Sequence, residues 1–551
     1  MIPRLFLVPA LCLVISLAIA NDDTVKVAAL FSNGAKQGGV ITIPPGDYQL
    51  NGATPIPLES RTYVFAHGAR FHLPETIPDG TRLILFSGTD VSHFAWHGGE
   101  FCGNVFDPAV EVNTWEPNVT TKAIEITTTK PGGTHDILFR DIRSDGVAGA
   151  VIGVHGLSAK GSESEVTAYA ERITVESCTL LRSGKFMWDY GYLWQIMTWP
   201  EEYEPREVER ARHYFRTDLM RENLIMEDGD DRIRFGNQTN PLPVSKDAEP
   251  RNALSFLGAG LPRNLVQGRH YFIVESTPGF IKVADAPGGE PIRFKGAAGT
   301  NTGLVHDLFS AFWALYAPKG SGPGKGALDI TSASDLRVTG CQLSALGDTM
   351  HIQRSRNIVF SNNHILGSRM GAFFLAEYCQ NATVTGNLVD GTNGSRVMSV
   401  EKSCEDITII GNTFRNGGRG SWINQPKNFI LQGNIFTNNT TKSETNLRRG
   451  RRSYETGQPR QFPELYFTLH EEDGSYGPVI VRDNVFQIGA SAPGAAVTFA
   501  PNGNGLQMTG NAFSGKPVVI AVDPTCEVID IRDNPGAEMT RSPVNFNHGR
   551  R

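Results

Sequence analysis

The sequence predicts an all-β solenoid, a right-handed parallel β-helix with an N-terminal capping helix and a small inserted β module. Three observations predict the solenoid: a repeat of 22 to 25 residues, apolar alternation inside each repeat, and a corner that usually closes on asparagine.

The repeat is the strongest signal. Five segments align over fourteen residues without a gap: LDITSASDLRVTGC (328–341), MHIQRSRNIVFSNN (350–363), FLAEYCQNATVTGN (374–387), SVEKSCEDITIIGN (399–412) and SWINQPKNFILQGN (421–434). VIVRDN, LQMTGN and VIDIRDN, ending at Asn484, Asn511 and Asn534, continue it less regularly. Positions nine and eleven are apolar in every unit: Leu336 and Val338, Ile358 and Phe360, Ala382 and Val384, Ile407 and Ile409, Phe429 and Leu431. Alternation with period two predicts a short strand with one buried face. Four units close on Asn363, Asn387, Asn412 and Asn434, usually after Gly. Asn and Gly tolerate the left-handed backbone of a sharp corner, and stacked amides can bond as a ladder. A leucine-rich horseshoe shares the period, but its leucine and asparagine spacing is missing.

At the N-terminus, MIPRLFLVPALCLVISLAIA has a basic start, an apolar run and a small-residue end, the layout of a secretory signal cleaved after Ala20. Residues 1–20 are therefore left out of the fold, residues 21–184 form the N-terminal part of the solenoid, and the expected location is secreted or periplasmic. No later apolar run is long enough to span a membrane. Seven cysteines become six once Cys12 leaves. Cys379 and Cys404 share one position on adjacent coils, which predicts a disulfide or a buried thiol stack. No Cys/His spacing suggests zinc. A net charge of −6 argues against nucleic acid as a main partner.

Residues 185–320 break the rhythm. EPREVERARHYFRTDLMRENL (204–224) reads as a charged amphipathic helix. ALSFLGAGL, HYFIVES, FIKVADA and PIRFKG then read as strands of a β module. Residues 321–551 return to the solenoid.

DDTVKVAALFSNGAKQGGVITIPPGDYQ (22–49) combines D-T, an amphipathic helix and GG-V-x-I-PPG-x-Y. It resembles the opening of the pectate-lyase-like (pectin-lyase-like) β-helix superfamily, in which the helix caps the open end of the core. The resemblance implies the fold strongly and the reaction weakly.

The frame also maps candidate chemistry. If positions one and three face inward, positions two and four face solvent on one sheet. The second position reads Asp329, His351, Leu375, Val400 and Trp422, and the fourth Thr331, Gln353, Glu377, Lys402 and Asn424. Glu401 falls at an inward position. Asp329 and Glu377, two coils apart, should be separated by about 10 Å, with His351 between them. That spacing suits an inverting glycosidase, in which one carboxylic acid protonates the leaving oxygen and a carboxylate activates water. Asp348, which begins the second coil, is a further candidate acid. Arg354, Arg356, Arg369, Arg396, Arg419 and the run RRGRR (448–452), with Trp422, Tyr466 and His470, suggest a basic, aromatic-walled groove for an acidic polymer. Gln353, Arg369, Arg396, Trp422 and Asn424 are the candidate substrate-binding residues.

GDTMHIQRSRNIVFSNNHILGSRMG resembles the stretch of polygalacturonase-type glycosidases in which a G-D-D coil precedes a G-H-G coil. Asp348 matches the first Asp, Thr349 stands at the second, and Arg369-Met370-Gly371 stands in place of G-H-G. SVEKSCEDITIIGNTF (399–414) resembles the S-V-K-S coil of chondroitinase and alginate-lyase β-helices, a resemblance that implies Lys402 as a base. The expected function is glycoside hydrolysis of an acidic polysaccharide without an organic cofactor. Uronate β-elimination is the alternative, with calcium a possible cofactor, and a non-catalytic glycan-binding solenoid is the third reading.

Overall fold

In the computed structural model the described residues are 22–36, 39–73, 82–103, 120–147, 149–184, 197–202, 205, 208, 217–235, 241–258, 260–299, 302–308, 325–345, 347–368, 371–391, 396–440, 462–469, 474–490, 494–516 and 518–544. Each repeat is a full coil. In the second unit, the strand Asp348–Gln353 turns at Arg354 (φ 48°), and the strand Arg356–Ser361 turns again at Asn362 (φ 54°) into His364–Leu366. Stacking such coils makes three parallel sheets of 13, 12 and 13 strands, here sheets 1, 2 and 3. Arg356–Ser361 lies in sheet 1, His364–Leu366 in sheet 2 and Asp348–Gln353 in sheet 3.

All ten apolar residues at repeat positions nine and eleven are buried. Like residues stack at one-coil spacing along the axis. Phe414, Phe436, Phe486 and Phe513 form one pile, with ring centroids 4.8 to 5.0 Å apart. A helix, Thr24–Lys36, closes the N-terminal end: Asp22 Oδ1 accepts from Thr24 N at 2.9 Å, and Phe31 reaches Phe86 and Trp96 in the core.

The asparagine ladder forms and runs through Asn363, Asn387, Asn412, Asn434, Asn484, Asn511 and Asn534. Each side-chain amide donates to the next side-chain carbonyl at 2.8 to 3.1 Å. Cys178 and Cys341 occupy the same corner on the preceding coils, and Cys341 N donates to Asn363 Oδ1. Cys379 and Cys404 are buried free thiols, one on each of two adjacent coils.

The solenoid continues across the long excursion, because Ile152–His155 pairs in register with Leu328–Thr331. Within the excursion, Met220–Glu222, Gly303–His306, Ala253–Leu257, His270–Ser276 and Ile281–Ala284 form a five-stranded antiparallel sheet, in that order. Its own core includes Leu254, Phe256, Tyr271 and Leu304. Two expectations fail here. The helical expectation fails at its C-terminal end: Thr217–Leu219 is a single 3₁₀ turn and Met220–Glu222 a strand, because pairing with Gly303–His306 overrides the helical pattern; of 204–216 only Pro205 and Val208 are described, and both are helical. The segment 291–296 is not a strand, although Phe294 is buried in the module core.

Glu464 is fully buried at the start of the strand Leu465–Thr468. Burial pushes its carboxyl up to about 7 from 4.5, against hydrogen bonds from the Asn439 side chain (2.5 Å) and backbone (3.3 Å). Because the folded chain holds this proton more tightly than the unfolded chain, its stabilising contribution is fully present below pH 4.5 and is lost as pH rises through 7. Glu464→Gln is expected to flatten that part of a stability-against-pH profile measured by chemical denaturation. A profile identical to that of the unaltered protein contradicts it.

Candidate active site

Sheet 3 carries the candidate chemistry. Register places Glu125, Gly153, Asp329 and His351 side by side on four successive coils. The column continues through Phe374, Ser399, Trp422 and Tyr466. Thr127, His155, Thr331 and Gln353 form a second column beside it, and Asn424 and Thr468 continue that column further on. These side chains point out of the solenoid core, yet most are nearly inaccessible: Asp329 is 6% exposed, Glu125 8% and Lys122 8%. Charged groups withdrawn from water in this way need one another.

Lys122 holds the cluster together. Its Nζ lies 2.7 Å from Glu125 Oε1, 3.8 Å from Asp329 Oδ2 and 3.4 Å from His155 Nε2. His155 Nε2 is 3.8 Å from Glu125 Oε1 and 4.0 Å from Asp329 Oδ2, while its Nδ1 shares a 3.0 Å hydrogen bond with Thr331 Oγ1. On the next coil His351 Nδ1 lies 3.6 Å from Asp329 Oδ1, and its ring stacks on Phe374. Gly153 leaves the floor of the cluster open. A Cβ there would come within 3.1 Å of His155 Nε2.

The structure thus joins Asp329 and His351 and adds Lys122, Glu125 and His155, which sequence reasoning missed. Strict alternation would put Lys122 and Glu125 on opposite faces. Ala123 and Ile124 between them both enter the core, so the strand bends and its two charged residues share a face.

One column expectation is corrected. Leu375 and Val400 point into the core, fully buried, and Phe374 and Ser399 take the outward places. The third and fourth coils carry one more residue at the corner: Glu377–Tyr378 and Lys402–Ser403 are both left-handed, where the neighbouring coils have only Ser332, Arg354 or Gln425. That extra residue shifts the gapless frame by one and flips every side chain before it. Glu401, expected inward, accordingly falls outward, 3.7 Å from Arg396 Nη1.

Glu377 and Lys402 therefore sit at the corner beside sheet 3. Lys402 Nζ is 3.0 Å from Glu377 Oε1, Gln353 Nε2 donates to Glu377 Oε2, and Arg354 Nη1 lies 3.9 Å from the same oxygen. Burial pushes the Glu377 carboxyl up, but Lys402, Gln353 and Arg354 outweigh it and hold the group below its ordinary value. Burial likewise lowers Lys402, and Glu377 with Glu163 more than reverses this, so the ammonium is held charged.

Farther along the face, the Arg396 guanidinium lies 4.6 Å over the Trp422 ring and donates to Tyr466 Oη at 3.2 Å and Ser399 Oγ at 3.3 Å. Asn424 is buried and donates to Thr468 Oγ1, which also accepts from Trp422 Nε1. Asp348 stands at the start of its strand against Gly371 of the next coil. Arg369, His470 and the run 448–452 lie outside the described residues. Among the described residues, His93, His135 and Asp136 are near enough to share a cation, but they lie on sheet 1 and Arg172 already holds the carboxylate at 2.6 Å. Two imidazoles suit a transition metal better than calcium.

Residues 319–451 match a family model described as a right handed beta helix region. A comparison with curated protein sequences finds no match. Solved structures similar to the chain include the A-module of the mannuronan C-5 epimerase AlgE4 of Azotobacter vinelandii, at 9% identity over 95% of this chain and 94% of that one, TM-score 0.44. The Dettilon tailspike protein (gp208) matches at 9% identity over 94% and 65%, TM-score 0.40. DFA-IIIase from Arthrobacter chlorophenolicus A6, in complex with DFA-III, matches at 11% over 91% and 74%, TM-score 0.31. Among the described residues no helix is long and apolar enough to cross a membrane. With three parallel sheets wound coil on coil and a family model of the same description, the chain is a right-handed parallel β-helix.

Proposed function

We propose that the protein is an exported glycoside hydrolase that cleaves an acidic polysaccharide laid along sheet 3, with Glu125 and Asp329 as its carboxylate pair. One observation carries this reading: two nearly buried carboxylates on one face, bridged by Lys122 at 2.7 and 3.8 Å and flanked by two imidazoles. Strongly desolvated acid–base clusters of this kind are where proton transfer is done.

Glu125, ion-paired with Lys122 at 2.7 Å, is assigned the role of carboxylate toward the anomeric carbon. Asp329, nearly buried and farther from Lys122 at 3.8 Å, is assigned delivery of the proton to the leaving oxygen, with His155 and His351 beside it. The two contacts of Lys122 bring the nearest carboxylate oxygens within about 6.5 Å, the lower limit of the separation that leaves room for a water in an inverting enzyme. Retention of anomeric configuration is therefore expected. Arg396 with Trp422 supplies a cationic, aromatic platform for a sugar ring farther along the same face.

The test is product analysis on a panel of acidic polysaccharides. Reducing ends without a new ultraviolet-absorbing double bond, and retained configuration by NMR, are the expected result. Elimination has its own support, the Lys122 ammonium 3.4 Å from the His155 imidazole, a cation to neutralise a uronate beside a base. Products carrying the conjugated double bond would replace hydrolysis with that reading. Binding without any bond cleavage across the panel would leave a glycan-binding solenoid.

A further inference from the structure

We propose that Lys402 and Arg354 form the subsite for an anionic group of the substrate, a uronate carboxylate, and that in the free protein Glu163 stands in for it. The inference rests on sheet 3 being the polysaccharide-binding face. It concerns binding at the corner beside that sheet, not the acid–base cluster.

Glu163 comes from far away in sequence. The strands Leu157–Ser158 and Val166–Ala168 pair antiparallel as a hairpin that leaves the solenoid after His155. Ser158 Oγ lies 3.2 Å from Ser332 Oγ, which ties the hairpin base to the corner of the next coil. The tip then spans further coils: Arg354 Nη1 donates to the Glu163 carbonyl at 2.9 Å, and Lys402 Nζ lies 3.4 Å from Glu163 Oε2.

The two carboxylates on Lys402 differ. Glu377 is 16% exposed, 3.0 Å away, and further held by Gln353, so it belongs to the wall. Glu163 is 69% exposed and approaches from the solvent side. An ion pair with so exposed a partner is weak and readily exchanged. Charge makes the exchange selective for an anion. Lys402 and Arg354 are balanced by Glu377 and Glu163, and if Glu163 withdraws, one positive charge is left facing solvent beside a buried neutral amide, Gln353. A sugar-borne carboxylate taking that place restores the balance without moving the wall, whereas a neutral sugar does not.

Isothermal titration of the full chain with an oligouronate, a sulfated oligosaccharide and a neutral oligosaccharide tests this directly. Glu163→Gln removes the competing charge at an exposed position and is expected to tighten oligouronate binding about fivefold, the effect of one exposed ion pair. Lys402→Met is expected to weaken it at least tenfold, and neither change should alter binding of the neutral oligosaccharide. A sulfated oligosaccharide that responds to Glu163→Gln as strongly as the oligouronate would keep the anion subsite and overturn its assignment to a carboxylate. Unchanged or weaker oligouronate binding by Glu163→Gln overturns the subsite altogether, even if Asp329 proves catalytic. Conversely, tighter binding by Glu163→Gln stands even if no bond is cleaved, so the subsite and the hydrolase reading fail separately.

Discussion

Replacing Asp329 by Asn is expected to lower kcat/KM by about 10²- to 10⁴-fold, the usual contribution of a positioned acid–base group. Asn keeps the size and removes the proton donor that stands beside Lys122 at 3.8 Å and His351 at 3.6 Å. Glu125→Gln should fall in the same range, and because both carboxylates share Lys122, the double variant should lose far less than the product of the two. Reducing-end release on the polysaccharide that the unaltered protein cleaves is the measurement, with circular dichroism confirming an intact fold. Activity within about threefold of the unaltered protein in either single variant would remove that residue from the chemistry.

The largest stability effect is expected in the asparagine ladder. Asn412 Oδ1 accepts from Asn387 N at 2.9 Å and Nδ2 at 2.8 Å, and its own Nδ2 donates to Val384 O, Ile410 O and Asn434 Oδ1 at 3.0 to 3.1 Å. Asn412→Leu fits by size but leaves the buried Asn387 backbone N–H without its acceptor and the Asn387 amide with only its bond to Phe360 O. Two or more buried polar groups deprived of a partner cost about 3–5 kcal/mol in total. Asn428→Gly provides the contrast: the backbone there is left-handed (φ 51°), which Gly tolerates, the lost amide bonds only to Asp406 at an exposed corner, and a loss of about 0.5 kcal/mol or less is expected. Denaturant midpoints decide between them, and equal shifts for the two variants would show that the ladder is no more than a surface ornament of the corner.

How much of this was legible in the sequence depends on which kind of order each feature uses. The positions nine and eleven and the Asn corners are local patterns repeated coil after coil, and the N-terminal helix is a local pattern that occurs once. A period-two strand and a left-handed corner are dictated by the residues that form them, so they read directly. The placement of Asp329 beside His351 followed too, because those two coils have corners of equal length. At the next coil the same reading failed. One added residue, Tyr378 beside Glu377, lies in the corner and not in the strand, and nothing in the local pattern distinguishes a longer corner from a shifted strand.

The active-site cluster shows the second limit. Glu125 and His155 meet Asp329 only because the chain returns from its long excursion to pair Leu328 with Ile152. That register is a long-range choice made by core packing at a distance of well over a hundred residues. The bend at Ala123–Ile124 that puts Lys122 on the same face is set by how two adjacent side chains enter the core. Glu163 reaches Lys402 by the same kind of long-range closure.

By itself, then, the sequence determined a coiled stack of short strands with stacked amides at one corner, because each of those features is built from neighbours in the chain. Only the tertiary structure decided which charges share a face, because that depends on corner length, on a bend and on the coil to which the chain returns. A shift of one residue in any of these turns a side chain from solvent to core.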